Sequence, residues 1–157
     1  MKIVVLISAD AEWRVVKELY PTLEIKRSPY GEYADLTFDL RPVTLFQGGW
    51  GKISAAASAQ YVIDHFKPDL LINLGTCGGF AGRIETGTII LVERTLVYDI
   101  IEQMGDGAEA IEHYSTNIDL SWLDNGGLTL DDTGDGQQSI VRGLLVSADR
   151  DILVEDI

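Results

Sequence analysis

The chain has little of several residue types, and each shortage excludes a class of protein. Its one cysteine, Cys77, cannot form an internal disulfide, and 12 basic residues against 25 acidic ones leave a formal net charge of −13. A nucleic acid polymer is excluded as a partner, because neutralising phosphates requires a basic face. No apolar run approaches the ~20 residues of a membrane helix, and residues 3–7 are too short for a signal peptide. We therefore expect a cytoplasmic protein without a membrane partner.

The sequence has the pattern of an α/β domain, and we expect residues 1–157, with 46% hydrophobic content, to form a single one. Continuous apolar runs rich in β-branched residues predict strands that are buried on both faces, as in a parallel sheet. These runs are residues 2–7, 70–74, 88–92 and 141–147.

Two helices are predicted between these strands. The first follows a cap at Asp10 or Ser8 and ends at Leu19, before Pro21. Its apolar residues Val15, Val16 and Leu19 are spaced for one buried stripe. The second covers residues 52–66, with an expected stripe of Ile53, Ala56, Ala57, Val62, Ile63 and Phe66.

The remaining segments have different patterns. Residues 23–28 and 32–40 flank a turn cluster at 29–31, and residues 42–47 offer another strand, so an antiparallel excursion is predicted. Residues 95–141 contain no Lys or Arg but ten Asp or Glu, which is typical of a solvated, partly mobile insertion.

Two glycine-rich segments, at residues 48–51 and 75–79, invite a nucleotide-binding interpretation. In the first segment, Phe46 stands where a phosphate-binding P-loop requires a glycine. Ile53 stands where the P-loop has the hydroxyl residue that binds magnesium. The second lacks the G-x-G-x-x-G spacing of a dinucleotide fold. It follows a buried strand, however, where open α/β sheets place their ligands. A ligand site and a tight turn that needs positive φ both remain open for this segment.

Four motifs in order carry a family resemblance. They are Ser8-Ala9-Asp10-Ala11-Glu12, Gly49-Trp50-Gly51-Lys52, Asn73-Leu74-Gly75-Thr76-Cys77-Gly78-Gly79 and Gly143-Leu144-Leu145-Val146-Ser147-Ala148-Asp149. Together they resemble the N-terminal portion of the nucleoside phosphorylase/nucleosidase family, most like its hydrolases of methylthioadenosine and adenosylhomocysteine. The resemblance implies a three-layer αβα fold with a central mixed, largely parallel sheet.

The resemblance also implies hydrolysis of the N-ribosidic bond of a purine nucleoside or thionucleoside, through an oxocarbenium-like transition state. Glu12 matches the glutamate that activates water in these nucleosidases; its alternative role is that of a first-turn acid that favours the helix dipole. The positions that match the substrate pocket are Ala9, Trp50, Thr76, Cys77, Gly78, Asp151 and Ile152. Core packing is the alternative for Trp50, and Cys77 is expected as a pocket wall rather than a nucleophile.

Water is the expected nucleophile, because a phosphate would need a cationic clamp where this chain has Asn73 and Glu12. A purine or uridine phosphorylase and a non-catalytic nucleoside-binding module remain alternatives. Adenosine-type nucleosidases usually have an aromatic residue, which stacks on the base, at the position of Asp151. Asp151 could accept a hydrogen bond from a different base, or it could face solvent.

The family's purine-protonating acid and ribose-binding glutamate come from a later segment, so we expect the chain to be C-terminally truncated and its site incomplete. A homodimer is also implied, with the segment after Asp99, around Met104, closing the neighbour's pocket. No cofactor or metal is expected, since His65 and His113 lack spaced partners and the acidic segment lacks a calcium-loop spacing.

Overall fold

The computed structural model of the protein describes residues 1–100, 105–121, 123 and 140–149. The chain divides into two compact units, Met1–Cys77 and Gly78–Ile157. The single-domain organisation stays a prediction. No helix in the described part of the chain is long and apolar enough to cross a membrane.

The first unit contains two helices and five strands. In chain order they are β1 (Ile3–Ile7), α1 (Asp10–Leu19), β2 (Lys26–Arg27), β3 (Glu32–Phe38), β4 (Arg41–Gln47), α2 (Lys52–Phe66) and β5 (Leu70–Asn73). The strands form one sheet in the order β2-β3-β4-β1-β5. Strand β1 pairs in parallel with β4 and β5, whereas β2, β3 and β4 pair antiparallel. The predicted antiparallel excursion is confirmed, and it extends the same sheet.

Strand β1 is buried on both faces, as its continuous apolar run predicts. Val4 and Leu6 pack on one side in a cluster with Val62 and Phe66 of α2. The alternate residues of β1 pack on the other side in a second cluster, which contains Trp13 of α1. Because successive side chains of a strand point to opposite faces, the two helices cover opposite faces of the sheet.

The sequence misplaces the buried side of α1. Trp13 is the buried residue, at 2% exposed, and Val16 one turn later is partly buried in the same cluster. The predicted stripe residues Val15 and Leu19 are instead 49% and 68% exposed. The indole is amphipathic: its ring fills the space above the sheet while its Nε1 donates a hydrogen bond of 2.8 Å to Glu32 Oε2.

The predicted cap of α1 is also wrong. The N-cap is Ala9, which offers no side-chain acceptor, and neither Ser8 nor Asp10 takes that role. Asp10 is already helical, and its Oδ1 accepts a hydrogen bond from Gln47 Nε2 at 2.8 Å. The orphan N–H of Ala9 bonds to the side chain of Glu12 instead.

Helix α2 has the predicted bounds but a narrower buried face. Val62 and Phe66 are buried as expected, together with Ser58, at a spacing of four residues. Ile53 and Ile63 were expected in this stripe but are 85% and 45% exposed. The reason is geometric: residues four apart lie on one side of a helix, and only that side contacts β1 and β4.

The second unit contains a smaller mixed sheet. Its described elements are β6 (Ile89–Val97), α3 (Gly107–His113), β7 (Ser115–Asn117) and β8 (Ile140–Ser147). The order is β7-β6-β8, with β6 parallel to β8 and antiparallel to β7. Part of the acidic stretch 95–141, expected as an insertion, thus forms a helix and a strand. Asp106 caps that helix by accepting a hydrogen bond from Ala108 N at 2.7 Å.

Candidate functional site

The candidate site lies at the carboxyl edge of the five-stranded sheet, where the parallel strands β4, β1 and β5 end side by side. Their register pairs Ile7 with Gln47 and Leu6 with Asn73. The backbone hydrogen bonds continue just beyond the strands, from Gly48 N to Ile7 O and from Leu74 N to Leu6 O, both at 2.9 Å. The first three sequence motifs therefore begin at one edge, which is where open sheets place their ligands.

Glu12 lies at this edge and accepts hydrogen bonds from two other predicted site residues. It lies in the first turn of α1, and its Oε1 accepts hydrogen bonds from Thr76 N at 2.6 Å and from Thr76 Oγ1 at 2.7 Å. Its Oε2 accepts a longer bond, of 3.3 Å, from Ala9 N. Three of the predicted site residues, Ala9, Glu12 and Thr76, are thus joined in one hydrogen-bonded group, although Thr76 lies 64 positions after Glu12 in the sequence.

These contacts control the charge of Glu12. Partial burial raises the pKa of its carboxyl, but the bonds from the Thr76 hydroxyl, the Thr76 N–H and the Ala9 N–H outweigh that effect and hold the pKa below its ordinary value. The side chain is therefore a carboxylate at neutral pH. It has the charge state that a general base requires.

Both roles considered for Glu12 are compatible with this geometry. The side chain caps the Ala9 N–H and so stabilises the start of α1. The same carboxylate is half-buried at the strand edge and bonded to a second segment of the chain. A residue that only favoured the helix dipole would need no partner in that segment.

Gly75 lies against Glu12 in the candidate site, and the sequence pattern did not single it out among the site residues. A Cβ at this residue would lie 3.2 Å and 3.3 Å from the two carboxylate oxygens of Glu12, closer than nearly all real Cβ contacts. Positive φ is not the reason for this glycine or for Gly78 and Gly79, since none of them has it. The tight-turn alternative is therefore wrong. The available signal was a glycine directly after a buried strand.

The other glycine segment is packed against α2. Gly49 N donates to Ser58 Oγ at 3.0 Å, and a Cβ on Gly49 would lie 2.5 Å from Ser54 O. Gly51 is the N-cap of α2 with φ +81°, a conformation that favours glycine. The loop glycines are thus explained by close packing and by the helix start, in agreement with rejection of the P-loop.

Two of the remaining predicted pocket residues, Trp50 and Cys77, are exposed. Trp50 is 83% exposed, so its core-packing alternative is wrong. Cys77 is exposed directly after Thr76, and Gly78 begins the second unit with open space around its Cα. Asp151 and Ile152 lie outside the described residues, as does Met104. Across the described ranges, no three His, Cys, Asp or Glu side chains are grouped to hold a metal ion.

Comparison with known proteins identifies similar sequences. Residues 2–150 match the sequence model of the phosphorylase superfamily. The chain is 33% identical over 100 residues to a 5'-methylthioadenosine/S-adenosylhomocysteine nucleosidase of Buchnera aphidicola subsp. Schizaphis graminum, covering 64% of this chain and 43% of that protein. It is 28% identical over 100 residues to the protein of the same name from Lysinibacillus sphaericus, covering 64% and 44%. The chain spans less than half the length of these relatives.

Solved structures share the fold. A nucleosidase of the same name from Colwellia psychrerythraea, in complex with adenine, aligns with a TM-score of 0.74 at 19% identity over 96% of this chain and 63% of that one. The Neisseria meningitidis nucleosidase, in complex with methylthio-immucillin-A, aligns with a TM-score of 0.69 at 18% identity, over 95% and 65%. These alignments confirm the expected α/β fold class with its mixed sheet.

Proposed function

The chain belongs to the phosphorylase superfamily, and on this premise we propose that it hydrolyses the N-ribosidic bond of a purine nucleoside or thionucleoside. The products are the free base and the sugar, and the substrate is of the methylthioadenosine or adenosylhomocysteine type. The observation that carries the proposal is the Glu12 carboxylate, held ionised at the carboxyl edge of a parallel sheet. The names of the relatives supply the substrate type.

The chemistry assigned to Glu12 is that of a general base. A water molecule attacks the anomeric carbon of the ribose, and Glu12 takes a proton from it as the new C–O bond forms. The C–N bond breaks, its electron pair leaves with the base, and the departing base takes up one proton, a step that the resemblance assigns to an acid of the family's later segment. Positive charge develops on the sugar in an oxocarbenium-like transition state. An anionic carboxylate beside that carbon stabilises the developing charge as well as the attacking water.

Water rather than phosphate is the nucleophile in this proposal. A phosphate dianion needs cationic or N–H donors, and arginine is the usual clamp. At this edge Glu12 presents a negative charge, and strand β5 ends in the neutral Asn73. Coulomb repulsion between a carboxylate and a phosphate disfavours the phosphorylase alternative.

The substrate contacts proposed from the resemblance keep their assignments. Ala9, Thr76 and Cys77 would line the ribose and base pocket at the strand edge, and the exposed Trp50 ring would contact the substrate from the neighbouring loop. The remaining proposed contacts are Gly78, Asp151 and Ile152. An exposed indole outside any core is an available stacking surface for a purine.

Chromatographic detection of free base tests the proposed reaction. The product of the full-length gene is incubated with methylthioadenosine, adenosylhomocysteine, adenosine and inosine, with and without phosphate. We expect release that is independent of phosphate and is lost in Glu12→Gln. Release that requires phosphate would establish the phosphorylase alternative. Saturable binding without release of any base would establish the nucleoside-binding module.

We also propose a cytoplasmic homodimer, in which the segment after Asp99, around Met104, closes the pocket of the neighbouring subunit. Light scattering of the purified protein tests the oligomer, and a monomer would contradict it. Cross-linking from Met104→Cys to the neighbour tests the placement of the segment. Failure to obtain any intersubunit product from a confirmed dimer would remove that part of the proposal.

A further inference from the structure

We propose that Thr76 is the positioning residue for Glu12: it occupies Oε1 completely and thereby makes Oε2 the oxygen that takes the proton from water. The inference rests on the proposed function and adds a division of labour between the two carboxylate oxygens. Thr76 was expected only as a pocket wall.

The two carboxylate oxygens of Glu12 differ in how many hydrogen bonds they accept. A carboxylate oxygen has about two lone-pair sites. At Oε1 both are used by short bonds from one residue, the N–H of Thr76 at 2.6 Å and its hydroxyl at 2.7 Å. At Oε2 the described residues supply one bond, the 3.3 Å contact from Ala9 N, which is at the long end of the useful range. A lone pair therefore remains at Oε2.

The two bonds from Thr76 also fix the orientation of the Glu12 carboxylate. The N–H and the hydroxyl of Thr76 donate to Glu12 Oε1 from two different directions. Rotation of the carboxylate would therefore break at least one of these bonds. The absence of a Cβ at Gly75 allows this approach. A catalytic base must be held near its productive geometry by groups that are themselves fixed.

The Glu12 carboxylate is stabilised without an opposite charge beside it. The pKa of Glu12 responds to burial and to bonds from Thr76 and Ala9, and no charged side chain contributes to its lowering. Asp10, the nearest acid on the same helix, bonds to Gln47 instead. No ion-pair partner of Glu12 occurs in the described part of the first unit. The site stabilises its base with dipoles, and the carboxylate keeps its full negative charge for the reaction.

Carboxyl titration by ¹³C NMR tests the positioning role without any need for turnover. We expect the Glu12 pKa to move upward in Thr76→Val and to return in Thr76→Ser, which restores the hydroxyl. Glu32, held by Trp13 and Lys17, is the internal reference and should titrate unchanged in both variants. An unchanged Glu12 titration in Thr76→Val would overturn the proposal.

A matched control variant lies elsewhere in the same sheet. Thr44 Oγ1 donates to Asp35 Oδ1 at 2.6 Å, so Thr44→Val removes a similar bond from a different carboxylate. We expect this variant to raise the pKa of Asp35 and to leave both Glu12 and base release unchanged. A shift of Glu12 in Thr44→Val would show a general effect of destabilisation and would contradict a specific role for Thr76.

Kinetics then decide which oxygen acts. Above the acid limb of the pH profile, we expect Thr76→Val to lower kcat about tenfold with little change in KM, because the base is intact but misplaced. The acid limb should move to higher pH, and Thr76→Ser should restore both. If Oε1 took the proton, removing its hydroxyl donor would free a lone pair and raise kcat. A higher KM with unchanged kcat would show that Thr76 binds substrate instead.

The proposed function and this inference can fail separately. If the full-length wild-type gene product releases no base from any nucleoside, the proposed reaction fails, and the titrations still report whether Thr76 controls Glu12. If base is released but the Thr76→Val titration and kcat are both unchanged, the reaction stands and the positioning role is rejected.

Discussion

Two regions of the five-stranded sheet contain the same chemical pair in different surroundings. Within the antiparallel part, Asp35 and Thr44 lie opposite each other on β3 and β4, and the hydroxyl donates to the carboxylate at 2.6 Å. At the carboxyl edge of the parallel part, the Thr76 hydroxyl donates to Glu12 at 2.7 Å. In both pairs burial raises the pKa of the acid, but the hydrogen bonds outweigh that effect and leave the pKa below its ordinary value, so both acids remain ionised.

The difference is in the second oxygen. Asp35 Oδ2 is paired with Lys26 Nζ at 2.9 Å, which neutralises the carboxylate. Among the residues that the structure describes, the one partner of Glu12 Oε2 is Ala9 N, at 3.3 Å. A threonine–carboxylate bond is structural where a cation pairs with the second oxygen, as Lys26 does at Asp35. At a strand edge without that cation, the same bond leaves a charged, oriented oxygen available for chemistry.

The largest expected effect comes from removing each carboxylate in turn. Glu12→Gln should lower base release by about 10²–10⁴-fold, the usual contribution of a general base, with a small change in the unfolding midpoint. Asp35→Asn should leave base release within about twofold, since Asp35 contacts no site residue. Paired rate and thermal unfolding measurements check both. Equal loss of activity in the two variants would abolish the distinction between the regions.

The next largest effect is expected at Gly75. Its φ is not positive, so alanine is tolerated by the backbone, but the added Cβ would lie 3.2–3.3 Å from both Glu12 oxygens and would displace them. We expect kcat to fall about tenfold through misplacement of the base. The control is Gly143→Ala, whose Cβ would make an ordinary 3.5 Å contact with Ile90. Full activity in Gly75→Ala would contradict close packing at the site.

A smaller effect is expected in the pH dependence of stability. The folded pKa values of Glu12 and Asp35 are lower than their unfolded values, so both stabilise the fold above the unfolded pKa. This stabilisation is lost as pH falls through the folded pKa. Urea midpoints measured from neutral to acidic pH should therefore fall less steeply in Glu12→Gln and in Asp35→Asn than in wild type. Slopes identical to wild type would show that neither carboxylate is linked to folding.

The smallest effect is expected at Lys26. Lys26→Met removes the cation from Asp35 and should raise the pKa of that carboxyl, whereas the Glu12 pKa should not change. The pair is exposed, so the unfolding midpoint should fall only slightly and less at high salt. NMR titration at two salt concentrations checks the result. A response of Glu12 would link the two regions.

Much of the first unit could be predicted because its signals are local. The run at β1 is apolar at every position, since both faces are buried, and glycine or proline occurs in four of the six connections of the unit. The buried faces of the helices were less predictable. Trp13 replaces Val15 and Leu19 as the core contact of α1 because orientation on the sheet depends on residues from other elements.

The site was predicted in composition but not in geometry. Glu12, Ala9 and Thr76 were assigned to it from motif resemblance, whereas the need for glycine at position 75 depends on where a distant carboxylate lies. The cap of α1 escaped prediction for the same reason. Glu12 supplies that cap from inside the helix, while local preference favours Ser8 or Asp10.

The sequence by itself determined the order of the main strands and helices of the first unit, the excess of negative charge and the residue types available at each strand end. These depend on local hydrophobic pattern and composition. Only the tertiary structure decided that Glu12 meets Thr76, because the parallel pairing of β1 with β5, in the register of Leu6 with Asn73, brings the two strand ends together. It also decided which oxygen remains open, since that follows from distances across the sheet edge.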